Sequence, residues 1–105
     1  MEHVTSQELR KRLDAGESLT LLDIREQDEL AICRLDGSVH FPMFSVPLRI
    51  EEVRALLPVV VYCHHGVRSL QLCHYLEQQG VDQIYNLVGG IDDWARVVEP
   101  NMPRY

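Results

Sequence analysis

Apolar positions along the chain fall into two rhythms that take turns. Thr5 to Glu8 reads T-S-Q-E, a capping box in which the Thr hydroxyl and the Glu carboxylate each take a free backbone N–H. A helix to about Asp14 should follow, with Leu9 and Leu13 one turn apart on one face and Gly16 as its stop. Ser18 to Ile24 reads as a strand apolar enough to be buried on both sides. Glu26 to Cys33 predicts a brief helix, and Asp36-Gly37 a turn into a short strand, Ser38 to Phe41, stopped by Pro42. From Val46 to Leu57 the spacing of Ile50, Val53, Leu56 and Leu57 predicts a helix with Pro47 in its first turn and Pro58 as its end. Val59 to Tyr62, "VVVY", is the most strand-like run: short, β-branched and without polar alternation. A helix from Ser69 turns Leu72, Cys73 and Leu76 inward and stops at Gly80. Gln83 to Val88 is a last strand, and Gly89-Gly90 leads into a final helix carrying Trp94. Trp94, Phe41 and Phe44 are expected to be packing residues, and residues 98–105 are expected to be irregular.

Strands that alternate with helices predict an α/β fold of three layers, a mostly parallel central sheet with helices on both faces. Chemistry in such folds gathers beyond the carboxyl ends of the strands. Cys63 stands there, as the first residue after the "VVVY" strand and ahead of a loop and a helix.

At 105 residues the expectation is a single domain, 1–105, with 98–105 as its tail. The apolar fraction of 46% and charged fraction of 25% suit an ordinary globular core. A net charge of −6 argues against a nucleic-acid partner, which needs a basic footprint. No apolar run approaches the roughly 18 residues of a membrane span, so no membrane partner is expected. The N-terminal segment "MEHVTSQELRK" lacks the layout of a signal peptide, and a cytoplasmic location is expected. The three cysteines fit no disulfide framework and no C-x-x-C zinc pair, so they are read as thiols.

The stretch "VVVYCHHGVRS", Val59 to Ser69, carries the candidate chemistry. A cysteine beside a buried strand is most often a small core residue. Here it is followed within six positions by Gly66, Arg68 and the start of a helix, a setting that suits a nucleophile. A tight loop entering a helix N-terminus aims several backbone N–H groups at one place and forms an anion nest. Gly66 tolerates the backbone angles that close such a ring. Arg68, and His64 or His65, would add charge or donors at the rim. Cys63, His64 and His65 are also metal-ligand types, but no further ligand follows at a familiar spacing, so no metal is expected.

Four blocks in order make the chain resemble a single-domain rhodanese of the thiosulfate sulfurtransferase family over about Val4 to Val97. "LLDIRE" resembles the family's Asp-x-Arg-Glu strand end, and "RLDGSVHFP" its His-Ile-Pro-Gly-Ala-x-Asn-Ile-Pro segment. "VVVYCHHGVRS" resembles its Tyr-Cys-x-x-Gly-x-Arg-Ser loop, and "LVGGIDDWAR" its Gly-Gly-x-x-x-Trp closing segment. The resemblance implies that Cys63 takes the outer sulfur of a small anionic donor such as thiosulfate, becomes a persulfide, and passes the sulfur to cyanide in an assay or to a thiol or protein cysteine in cells. It implies that the loop residues His64, His65, Gly66, Val67, Arg68 and Ser69 bind the substrate, their amides holding the persulfide and Arg68 attracting the donor. It implies no cofactor. Cys33, Arg34 and Asp36 depart from the second block, where Gly, His and Pro are usual.

Asp23 and Arg25 match the family and are read as mainly structural, an ion pair or hydrogen bonds tying strand end to loop, with Arg25 as a pocket-lining residue the alternative. Cys73 is read as core, and Cys33 as a candidate resolving thiol. Two alternatives remain: a persulfide carrier serving one partner protein, and a cysteine phosphatase or arsenate reductase. The phosphatases use Cys-x5-Arg, whereas Cys63 to Arg68 is Cys-x4-Arg, a tighter ring that suits one sulfur atom better than a phosphate.

Overall fold

In the computed structural model, which describes Met1 to Tyr105, the valine run becomes the middle strand of a five-stranded sheet. In chain order the elements are β1 (Glu2–Val4), α1 (Ser6–Asp14), β2 (Thr20–Asp23), α2 (Gln27–Leu30), β3 (Val39–His40), a 3-10 segment (Met43–Leu48), α3 (Ile50–Arg54), β4 (Val59–Tyr62), α4 (Val67–Gln78), β5 (Ile84–Leu87) and α5 (Gly90–Val97). The strands lie in the order β1-β5-β4-β2-β3, and every pairing is parallel. β4 is buried along its whole length, as its lack of polar alternation requires.

Alternation along the strands divides the interior into two cores. Leu22, Val59, Val61 and Ile84 face one way and pack with Val53 of α3 and with Leu72, Cys73 and Leu76 of α4. Leu21, Val60, Tyr62 and Leu87 face the other way and pack with Leu9 of α1 and with Ile91 and Trp94 of α5. Helices therefore cover both faces, and Cys73 is fully buried in the first core as the pattern predicts. The capping box forms: Thr5 Oγ1 accepts the Glu8 N–H at 3.1 Å, and the Glu8 carboxylate accepts the Thr5 N–H at 2.9 Å.

Four expectations need correction. The strand β1 is absent from the sequence reading because three residues with two polar side chains carry no period. It forms because the edge of β5 offers it a ladder, continued by the Val88 N–H donating to Val4 O at 2.9 Å. The single helix expected over 46–57 is two pieces. Pro47 lies inside the 3-10 segment, where its missing N–H costs least, and α3 starts only at Ile50. Phe44 on that segment is 85% exposed, so it is no packing residue, unlike Phe41 and Trp94. The helix expected over 26–33 is one turn, Gln27–Leu30.

Candidate functional site

The site begins with the end of β4. Its parallel neighbours β2 and β5 carry Asp23 and Asn86 to the same level of the sheet. Cys63 follows and is 1% exposed, its side chain in the core shared with α3 and α4. The loop then turns on Gly66, whose φ of +95° lies in the left-handed region open to glycine. α4 starts at Val67, two residues earlier than expected, so its first-turn N–H groups point into the loop.

The thiol sulfur sits at the centre of this turn. Gly66 N–H donates to Cys63 Sγ at 3.1 Å and Ser69 N–H at 3.4 Å. The Cys63 thiol donates to Ser69 Oγ at 3.4 Å, and Ser69 Oγ donates to Asn86 Oδ1 at 2.5 Å. Two fixed main-chain donors aimed at one sulfur favour negative charge there. Asn86 is a polar residue at an inward position of β5 and 3% exposed. That mismatch with its strand is the signal by which the sequence marks it.

The Gly89-Gly90 turn supports the loop from behind. A Cβ on Gly90 would stand 2.4 Å from His64 O and 2.5 Å from Cys63 O. The missing side chain lets the N-terminus of α5 meet the loop carbonyls directly. Ile91 N–H donates to Cys63 O at 2.9 Å, and Asp92 N–H to His64 O at 3.0 Å. Orphan donors at one helix start thereby satisfy orphan acceptors of the loop.

The side chains of the loop point elsewhere. Arg68 does not lie open at the rim: its guanidinium forms a two-pronged pair with Glu29, 2.9 Å and 3.0 Å. The hydrogen bonds from Arg68 hold the Glu29 carboxyl well below its ordinary value, at about 2. Tyr105 Oη donates to Glu29 Oε2 at 2.7 Å and accepts from Arg25 Nη1 at 2.9 Å. The Tyr105 ring stacks on the His64 imidazole, centroids 3.7 Å apart. The tail is thus irregular as expected, yet it closes over the site, and nothing in "EPNMPRY" signals this. Burial, then the neighbouring His65, push the His64 imidazole below its usual value. His65 is 62% exposed, and Val67 is exposed as well.

Asp23 and Arg25 form the expected ion pair, both fully buried, with Arg25 Nη2 donating to Asp23 Oδ2 at 2.7 Å. Arg25 Nη2 also donates to Cys33 O at 2.7 Å, and Nη1 to Glu29 O at 3.3 Å, so the pair anchors the α2 segment. Burial opposes the charge of Arg25, but the hydrogen bonds to Asp23 and Tyr105 outweigh it and leave its pKa raised. Cys33 packs in the core on the α1 and α5 face, and Cys63 in the core on the other face. Burial pushes the Cys33 thiol up in pKa, which makes it a poor nucleophile.

His64, His65 and Asp92 bring ligand-type atoms within 4.8 Å of one another, a third group that spacing along the chain cannot show. Arg104 already holds Asp92 Oδ1 at 3.0 Å, so a metal ion there competes with a resident cation. The largest concavity, about 500 Å³, lies under the tail beside Cys33 and Arg34. No helix is long and apolar enough to cross a membrane.

Comparison with known proteins agrees with this fold. The family described as Rhodanese-like domain matches residues 5–97. A sulfurtransferase of Allochromatium vinosum is 40% identical over 91% of this chain and 90% of its own length. The thiosulfate sulfurtransferase GlpE of Coxiella burnetii is 30% identical over 90% of this chain and 84% of its own length. Among solved structures, a rhodanese-related protein from Thermoplasma volcanium superposes with a TM-score of 0.78 at 26% identity, covering 95% of this chain and 96% of that one.

Proposed function

The chain belongs to the rhodanese-like family of sulfurtransferases, and on that premise we propose that Cys63 carries a sulfur atom as a persulfide, received from thiosulfate or a similar donor and passed to a nucleophilic acceptor. The observation that carries this reading is the pair of main-chain N–H groups, Gly66 and Ser69, that meet the Cys63 sulfur. In the first half-reaction the Cys63 thiolate attacks the outer sulfur of thiosulfate. The donor's S–S bond breaks, sulfite leaves with the electron pair, and a new S–S bond forms on Cys63. In the second, cyanide or a thiolate attacks the outer sulfur, and Cys63 leaves as thiolate. Each half-reaction exchanges one S–S bond or converts it to an S–C bond, and no external oxidant is needed.

The loop's part is electrostatic. The amides of its residues, His64 through Ser69, hold the anionic outer sulfur, and being main-chain groups they need no reorganisation when charge moves onto it. Ser69 Oγ stands beside the sulfur and is braced by Asn86. The Arg68 guanidinium is paired with Glu29, so its charge is already shared.

The test is intact-protein mass spectrometry after incubation with thiosulfate or a low-molecular-weight persulfide. The expected result is a gain of one sulfur atom that maps to Cys63, is removed by cyanide as thiocyanate, and is absent in Cys63→Ser. A wild-type protein that gains no sulfur from either donor refutes the reading. Hydrolysis of an aryl phosphate that depends on Cys63 would replace it by the phosphatase alternative.

A further inference from the structure

The electrostatics of the loop mouth point to a donor class. Three arginines around the loop are each matched by a carboxylate: Arg68 by Glu29, Arg25 by Asp23, and Arg104 by Asp92. The chain as a whole carries −6. A doubly charged anion approaching Cys63 therefore meets these three guanidiniums already paired.

Glu29 is the centre of that neutralisation, and it is held more firmly than an ordinary surface ion-pair partner. A carboxylate offers about four acceptor positions, and four donors reach this one. Arg68 supplies two, at 2.9 Å and 3.0 Å. The Glu26 N–H supplies a third at 3.0 Å, and Tyr105 Oη the fourth at 2.7 Å. Tyr105 is itself fixed by Arg25 and by its stack on His64. The Glu29 side chain is 16% exposed, so water does little to loosen the pair. Arg68 is thus committed to a resident anion.

We infer that Glu29 sets the donor specificity of the Cys63 site, selecting singly charged or neutral sulfur donors, such as the persulfide of a thiol, over doubly charged thiosulfate. This inference rests on the sulfur-carrying role proposed above. With a persulfide donor the Cys63 thiolate attacks the outer sulfur of R–S–SH. The donor's S–S bond breaks, R–S⁻ leaves with the electron pair, and Cys63 holds the new –S–SH. One negative charge stands on each side of the equation, and sulfur is exchanged without net oxidation. Such a donor brings an uncharged reacting end to the loop and has no need of a free guanidinium.

Glu29→Gln tests this, since glutamine keeps the volume and can still accept the Glu26 N–H through its carbonyl. The assay compares kcat/KM for thiosulfate, charge −2, and for benzenethiosulfonate, charge −1, with cyanide as acceptor. Both donors give up an outer sulfur from an S–S(O) bond. Uncovering one positive charge acts twice as strongly on the dianion. The substitution is expected to raise kcat/KM by about tenfold for thiosulfate and about threefold for benzenethiosulfonate at low ionic strength, with both gains shrinking as salt is added. A thiosulfate rate that does not rise, or equal gains for the two donors, overturns the inference. Tyr105→Phe removes one of the four donors to Glu29 and carries the test if Glu29→Gln does not fold. It should shift the ratio of the two donors about twofold in the same direction, and an unchanged ratio overturns the inference. A protein that accepts sulfur from neither donor fails the sulfur-carrying role instead, so the two failures are distinguishable.

Discussion

Replacing Gly90 by alanine should remove the support of the sulfur loop, and Gly80 supplies the matched control. Both glycines have positive φ, +62° and +81°. A side chain in the left-handed region costs roughly 1–2 kcal/mol at either place. Space is the difference between them. A Cβ on Gly80 meets nothing within 4 Å, whereas one on Gly90 stands 2.4 Å from His64 O, 2.5 Å from Cys63 O and 2.6 Å from His64 C. Those neighbours are backbone and cannot swing aside. Relieving the overlap means moving α5 from the loop, which overpacking data put at about 1–3 kcal/mol. It also stretches the two bonds from Ile91 and Asp92, at about 1 kcal/mol each. Gly80→Ala should therefore cost about 1–2 kcal/mol and Gly90→Ala about 4–7 kcal/mol. In a domain of this size that is a fall in Tm of about 5–10 °C against more than about 15 °C. Urea unfolding of the two variants gives the numbers, and sulfur loading of Cys63 at a temperature where both are folded gives the effect on the loop. Equal destabilisation of the two variants would refute the view that α5 presses on the loop backbone.

Asp23→Asn leaves Arg25 buried without its counter-charge and should cost about 3–5 kcal/mol in urea unfolding. Conversion of both residues to apolar ones should cost less, since no charge is stranded. Ser69→Ala strands Asn86 Oδ1 in the core, a loss of about 1–3 kcal/mol, and slows sulfur transfer while leaving the two loop amides in place; an unchanged rate would show that the hydroxyl does not assist the sulfur. The Glu29 carboxyl lies at about 2 in the folded chain, below its ordinary 4.5. Its contribution to stability is therefore fully present above pH 4.5 and lost as pH falls toward about 2. Chemical denaturation across that window should show a slope that Glu29→Gln reduces, and identical slopes would count against the pair.

The sequence was most legible where local chemistry and tertiary demand agree. The capping box at Thr5, the unbroken apolar run of β4 and the inward face of α4 each state their own structure. The same holds for Cys63, since strand end, glycine and helix start are consecutive in the chain. It was least legible where a long-range partner decides the outcome. Arg68 looks like a free cation until Glu29, 39 residues away, is placed beside it. Tyr105 ends an irregular tail and gains its position only through Arg25, Glu29 and His64. β1 exists because β5 has an edge. Gly89-Gly90 reads as a turn, but its second glycine is demanded by the Cys63 loop, which it touches only after the fold has formed. Pro47 is expected in the first turn of a helix, but it lies inside the 3-10 segment, ahead of α3.

The ring around the sulfur is built from main-chain atoms: two amides facing the thiol and two carbonyls held by α5. His64, His65 and Val67 contribute their backbone to it while their side chains turn away, those of His65 and Val67 to solvent. Identity at His65 and Val67 is therefore uncoupled from the shape of the ring. The outward face of the loop can change at these two positions without moving the amides and carbonyls beneath it. The architecture works as a fixed socket with an exchangeable faceplate.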